Sequence, residues 1–219
     1  TLCVLFGGQS SEHEVSRVSA TSVIKNLDKE KYEIVTIGIT KEGQWLIYRG
    51  PEEKIATGEW ENANNARAIL SPDATTGGII RIMDEGIATA RIDVVFPVLH
   101  GLYGEDGTVQ GLLELAKIPY VGPGVLASSL AMDKVYAKLI FKHVGIPQAD
   151  WEVVYSNDLM EMDKVLDRIE ERFGYPCFVK PSNAGSSVGI TKAHDRNELE
   201  EGLLIAAEHD DKILVEEFI

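Results

Sequence analysis

Residues 2–6 (LCVLF) form an unbroken apolar run, followed by GGQSSEHE and then by apolar positions at Val15, Val18, Val23, Ile24 and Leu27. An apolar run closed by glycines predicts a strand buried on both faces, and the spacing after it predicts a helix. The rhythm recurs: residues 32–39 (YEIVTIGI) and 93–99 (DVVFPVL) read as buried strands, 108–116 as a helix, and 119–122 (PYVG) as a short strand. Strands alternating with helices predict an α/β domain on a doubly wound parallel sheet. Residues 40–91 break the rhythm with QWLIY, AIL and GGIIRIM, separated by polar stretches. They predict short strands or hairpins of an insertion decorating the sheet.

Past Gly122 the pattern changes. MDKVYAKLIFKHVGIP predicts a helix with Val135, Leu139, Ile140 and Val144 on its apolar face, stopped by Gly145 as a left-handed cap and by Pro147. WEVVY, CFVK, GITKA and KILVEEF read as strands, and 159–173 and 197–209 as helices. This predicts a small α+β unit after a boundary near Gly122–Gly124. The chain shows no internal repeat and no low-complexity tract.

Composition narrows the classes. The 219 residues are 44% hydrophobic and 26% charged, with a net charge of −14. No dense basic patch accompanies that charge, which argues against nucleic acid or an anionic membrane as main partner. No apolar run approaches the roughly 18 residues of a membrane span. Cys3 and Cys177 lie far apart in strand-like contexts. They read as buried free thiols, suited to a reducing cytosol. The chain opens at Thr1 inside an apolar run, as if a starting methionine had been lost or trimmed.

Candidate chemistry lies in the loops. FGGQSSEHE occupies a strand-to-helix turn, where N–H groups and the helix dipole favour an anion. It is neither G-x-G-x-x-G nor a Walker A motif, which removes the residues a nucleotide-dependent oxidoreductase would need. Ser11 and Glu14 form an S-x-x-E capping box. Glu12 has no such duty: it either holds an ammonium group at the carboxyl end of the sheet or simply suits a helix start. His100, in LHGLYGEDG, lies beside the first loop if the two preceding strands are neighbours, and is structural or functional with about equal weight. Glu105 and Asp106 are expected to start and cap the next helix. Lys134, Lys138 and Lys142 share one helix face and read as a solvated stripe. Lys180 ends a strand and leads into PSNAGSSVGI, small residues whose bare amides and serine hydroxyls can close over phosphates before a second strand at 188–190.

Together these segments resemble the D-alanine–D-alanine ligase family of ATP-grasp enzymes. The matching stretches are LFGGQSSEHEVS, FPVLHGLYGEDGTVQGLLELAKIPYVGPGVLAS, AMDK, FVKPSNAGSSVG and ILVEEFI, in the family's order and over nearly the whole chain. The resemblance implies a Rossmann-like first domain over 1–122, a central ATP-grasp domain over 123–215, and the start of a third domain at 216–219. It puts Glu12 on the ammonium of the first D-alanine and His100 near that substrate's carboxylate. Lys134 and Lys180 become the lysines on ATP phosphates, with Ser187 beside them in the flap. Ser186 becomes the flap serine that orients the first substrate and links to Glu12. Glu216, Glu217, Phe218 and Ile219 become the hinge around the adenine.

The implied reaction is ATP-dependent ligation of two D-alanines through an acyl phosphate, with magnesium, for peptidoglycan precursors, in a cytoplasmic enzyme that is commonly a homodimer. D-Ala–D-Lac or D-Ala–D-Ser ligation of the vancomycin-resistance type is an alternative, and so is a nucleotide-binding module without activity. The resemblance sets the magnesium ligands, a transition-state arginine and the second-substrate loop past Ile219. No metal ligand is therefore expected in this chain, which is expected to be a fragment without ligase activity by itself.

Overall fold

The computed structural model of the chain describes residues 1–84 and 86–219. They fall into two units, Thr1–Ser128 and Ser129–Ile219. The division lies inside the helix Val125–Met132, a few residues beyond the Gly122–Gly124 turn.

The first unit contains β1 (Leu2–Gly7), α1 (His13–Asn26), β2 (Ile34–Ile39), β3 (Trp45–Tyr48), α2 (Glu53–Thr57), β4 (Ala66–Leu70), β5 (Gly78–Met83), β6 (Gly86–Arg91), β7 (Val94–Pro97), α3 (Thr108–Ala116) and the start of α4 (Val125–Met132). Its sheet runs β6-β5-β4-β3-β2-β1-β7. The expected α/β architecture is present, with β1 parallel to both β2 and β7. The insertion differs from expectation: it extends the sheet as four antiparallel strands, β3 to β6, instead of decorating it. Short strands joined by tight turns can pair with their chain neighbours without the long crossover that parallel pairing demands. Residues 119–122 form no strand, only a bridge from Tyr120 to Val95.

Alternation along β1 splits the core between the two sheet faces. Cys3 and Leu5 pack with Ile37, Val95 and the α3 residues Val109, Leu113 and Ala116. Val4 and Phe6 pack with Ile24, Tyr48 and Trp60 on the other face. There the Trp60 and Phe6 rings meet edge to face, 4.9 Å apart.

Helix α1 keeps Val23, Ile24 and Leu27 against the core but departs from its expected apolar face in its first turns. Val15 and Val18 are 52% and 56% exposed, while His13, Ser16, Ala20, Thr21 and Ile24 are buried. The buried polar groups satisfy loop backbone that has no ladder partner. The Ser16 hydroxyl accepts from Gly7 N–H at 2.8 Å and donates to the Val98 carbonyl. His13 Nδ1 faces the Gly8 carbonyl at 2.8 Å, which makes that nitrogen the N–H donor. The Ser11–Glu14 capping box does not form, because α1 starts at His13 with Glu12 at its N-cap position. Glu14 pairs with Lys41 at 2.6 Å instead.

The second unit contains the rest of α4, then α5 (Lys134–His143), β8 (Trp151–Tyr155), α6 (Met162–Phe173), β9 (Cys177–Pro181), β10 (Thr191–Ala193), α7 (Arg196–Ala207) and β11 (Lys212–Glu217). Its antiparallel sheet runs β10-β9-β11-β8. Helices α6 and α7 cover one face through Val165, Leu166, Ile169, Leu199, Leu203 and Ala206. Residues 159–161 belong to a 3₁₀ turn ahead of α6. Gly145 takes φ +77 after α5, the left-handed cap expected there. The apolar face expected on α5 is not buried: Val135 is, but Leu139, Ile140 and Val144 are exposed. Cys3 and Cys177 are free and buried, and burial pushes their thiols up to about 12 and about 11. Among the described residues no helix is long and apolar enough to cross a membrane.

Candidate functional site

In the first unit, β1 and β7 are neighbours, so the loops leaving their carboxyl ends meet. Ser10 ties them. The Ser10 hydroxyl accepts from Glu12 N–H at 3.1 Å and donates to the His100 carbonyl at 2.7 Å. Sequence reasoning passed over Ser10, since nothing in a run of two serines says which will bridge. Glu105 accepts from Gly101 N–H at 2.8 Å, so it closes the His100-Gly101 loop and does not cap α3. Asp106 does serve the start of α3, accepting from Thr108 N–H at 2.9 Å. The His100 ring pairs with the Ser19 hydroxyl at 3.1 Å and keeps Glu105 3.9 Å from its other nitrogen.

Gly101 is required here on two counts. Its φ is +70, and a methyl group on it would lie 2.5 Å from Glu12 Oε2. The Glu12 carboxylate thus rests against bare backbone. Gly101→Ala should cost about 1–2 kcal/mol from the left-handed conformation alone and push the Glu12 carboxylate aside. Urea unfolding of the variant checks this, and an unchanged midpoint would contradict it.

The second unit builds its site on the sheet face opposite α6 and α7. Alternation puts Val179, Ile213 and Val215 into the core and leaves Phe178, Lys180, Leu214 and Glu216 on the other face. In the β9–β11 register Leu214 lies opposite Lys180 and Glu216 opposite Phe178. Lys180 and Glu216 are therefore diagonal neighbours, within reach of long side chains. Their charged groups form an ion pair, and Lys138 reaches the same carboxylate at 2.6 Å. Lys138 is only 12% exposed, so the solvated-stripe reading fails for it. The signal was its position one turn after Lys134, but a sequence cannot say that a buried acid waits opposite.

Lys134 donates to the carbonyls of Ala184 and Ser182, fastening the flap root from below. Burial first, then the nearby charge of Lys180, holds its ammonium below the ordinary lysine value. Glu216 lies below the ordinary 4.5: burial alone would raise it, and the bonds from Lys138 and Lys180 outweigh that. Lys134, Lys138, Lys180 and Glu216 line one cavity of about 370 Å³ with Phe141 and Leu214. Three ammonium groups around one carboxylate leave a surplus of positive charge and of N–H donors. That donor set suits a phosphate chain.

The flap departs from expectation. Residues 188–190 are not a strand; the chain turns through 186–189, with Ser186 at φ +46 and Ser187 at φ +62, and β10 begins at Thr191. Val188 N–H donates to the Gly185 carbonyl at 3.0 Å, a local turn in place of a ladder bond. Small residues favour that turn because each exposes its own amides. The root is firmer: Asp210 accepts from Asn183 N–H and Nδ2 at 2.7 and 2.8 Å.

At the end of β11, Glu217 accepts from Asp150 N–H at 2.7 Å and its own N–H donates to the Asp150 carbonyl at 3.0 Å. Phe218 and Phe178 place their rings 6.0 Å apart, and the Lys192 ammonium lies 3.9 Å over Phe218. Lys192 is another residue that sequence reasoning missed. Among the described residues no group of three or more His, Cys, Asp or Glu side chains converges as metal ligands would.

The family model for the N-terminus of D-ala D-ala ligase matches residues 1–123. The chain belongs to the D-alanine–D-alanine ligase family. The family's C-terminal model matches residues 140–219. A D-alanine–D-alanine ligase of Acetivibrio thermocellus is 55% identical over 99% of this chain and 61% of its own length. Among solved structures, the VanG D-Ala:D-Ser ligase of Enterococcus faecalis superposes with a TM-score of 0.90 at 39% identity, covering all of this chain and 62% of that one. The D-alanine–D-alanine ligase of Coxiella burnetii gives 0.87 at 33% identity, over all of this chain and 63% of that one. The chain thus spans about 60% of the length of the curated relatives it matches.

Proposed function

We propose that the protein ligates two D-alanines into D-alanyl-D-alanine for peptidoglycan precursors, with ATP as phosphoryl donor. One D-alanine carboxylate becomes an acyl phosphate, the amine of the second attacks it, and inorganic phosphate leaves. The observation that carries this reading is the lysine-lined cavity of the second unit, in a chain that two family models of this ligase cover. In this reading Lys134, Lys180 and Ser187 hold phosphates, and the backbone of Glu216, Glu217, Phe218 and Ile219 meets the adenine. Glu12 takes the ammonium of the first D-alanine, His100 lies by its carboxylate, and Ser186 orients it and links to Glu12. Magnesium would offset the phosphate charge. We place the enzyme in the cytoplasm, which suits two buried free thiols, and as a homodimer. A D-Ala–D-Ser variant is the second reading, favoured by the fit to the VanG structure.

The chemistry asked of these residues is positioning and charge neutralisation. The internal pairs in the cavity act as a preformed template. A polyanion entering there exchanges the Glu216 partner of Lys180 for phosphate oxygens, and relieves the repulsion between Lys180 and Lys134. Lys180→Ala should weaken ATP binding to the chain by about ten- to a hundredfold, the worth of a charge-assisted hydrogen bond. Calorimetric titration of the 219-residue chain checks this, and an unchanged affinity would leave the phosphate role without support. We further propose that dipeptide synthesis needs the length of the relatives that this chain does not span. The chain incubated with ATP and D-alanine should bind nucleotide and form no D-alanyl-D-alanine.

A further inference from the structure

A cavity of about 630 Å³ in the first unit is lined by none of the candidate-site residues. It opens at the beginning of β2, where Ile34, Val35 and Thr36 line it, whereas the Glu12–His100 loops gather at the end of the neighbouring parallel strands. Six residues of strand separate the two edges, roughly 17 Å of extended chain. The cavity is therefore no extension of the amino-acid pocket.

Its wall has two characters. The floor is apolar: Val35, Ile47, Ile79 and Ala90, all on one face of the sheet. The rim is basic: Lys29, Arg49 and Arg81, with Glu33 the one acid among the described lining residues. Glu33 is engaged by the Thr1 hydroxyl at 2.9 Å, and Lys29 by Glu52 at 3.2 Å. The two arginines are different. Neither has an ion pair or hydrogen bond among the described residues, and Arg81 Nε is buried without an acceptor. In a chain with 35 acids to 21 bases, guanidinium groups have ample carboxylates to choose from. A buried N–H without a partner is uncommon enough to need a cause, and an absent anion supplies one. The sheet also explains the opening. β3 pairs with β4 through two residue pairs, Leu46–Arg67 and Ile47–Ala66, so the ladder between them ends at Ile47.

We propose that this cavity is a second ligand site, which takes a small organic anion: an oxyanion head held by Arg49 and Arg81, and an apolar body lying on Val35, Ile47 and Ile79. A guanidinium fork suits phosphate and carboxylate heads alike. The inference stands apart from the proposed ligase reaction, since none of these residues takes part in it.

The test is amide chemical-shift mapping of the ¹⁵N-labelled chain, titrated separately with phenyl phosphate and with benzoate. Saturable shifts at residues 32–36 and 48–50 with either probe support the site, and the probe that binds identifies the head group. R49Q combined with R81Q should weaken that binding by roughly tenfold or more. R49K combined with R81K, which keeps the charge, should restore part of it. The thermal melts of the variants serve as fold control, and the unchanged spectrum of the second unit as a local one. No shift at these residues by about 10 mM of both probes, well past weak millimolar binding, would overturn the proposal. Shifts that persist undiminished in the glutamine variant would overturn it too.

Discussion

Replacing Glu216 with glutamine should destabilise the second unit by about 3–5 kcal/mol in urea unfolding, because it leaves buried ammonium groups without their counter-charge. Lys180 and Lys138 converge on this one carboxylate, which is only 8% exposed. Glutamine keeps the shape and removes the charge that holds two cations near a third. The cost lies in the unpaired lysines more than in the lost bonds, which is itself testable. Adding Lys138→Met and Lys180→Met to the same chain should recover most of the loss, since apolar replacement of a whole buried network is often close to neutral. A single-variant loss under about 1 kcal/mol would place the group among ordinary exposed pairs. The pH dependence has a definite sign. A carboxylate whose native pKa is depressed contributes stability above its unfolded value and loses it as pH falls through the native one. The stability of the wild type should therefore drop below about pH 4.5, the ordinary value from which Glu216 is lowered. The Glu216→Gln curve should be flatter there.

The Asp133→Ala variant should lose a comparable amount, about 3–5 kcal/mol, through several functions of one side chain. Asp133 caps α5 by accepting from Val135 and Tyr136 N–H, both at 3.0 Å. It also accepts from the Ser182 hydroxyl at 2.7 Å and from the Lys212 ammonium at 2.5 Å. Burial would raise its carboxyl, but the bonds from Lys212 and Ser182 outweigh that and hold it below 3.8. The cap alone accounts for about 1 kcal/mol, and the remainder reflects a lysine and a flap-root serine left without their acceptor. Asp133→Asn retains one acceptor oxygen and should cost less. Equal losses for alanine and asparagine would show that the ion pair with Lys212, and not the cap, governs the site.

Parts of this site were legible before any coordinates. The flap stood out because glycine, serine and alanine in one run have no core to build, so a lysine at their base asks for an anion. Lys134 and Lys180 do line one cavity. The residues that hold them were not legible. Lys138 reads as one more charge on a helix face, and nothing beside Asp133 or Asp210 in the sequence points to their partners. Each acts through a partner 27 to 79 residues away in sequence. The misread helix α1 has the same origin. Val15 and Val18 fit a buried stripe, yet at that end the helix buries His13 and Ser16, which donate to the Gly8 and Val98 carbonyls.

What the sequence determined by itself was therefore whatever depends on local periodicity and backbone freedom. That includes the apolar strands of both units, the caps at Gly145, and a flap made of residues too small to pack. What the tertiary structure decided was pairing: which strands the insertion joins, which serine bridges two loops, and which carboxylate collects the lysines. Periodicity is a property of neighbours along the chain, and a few residues suffice to express it. A buried charge is tolerated only where a distant partner arrives to neutralise it, and that arrival is settled by the fold as a whole.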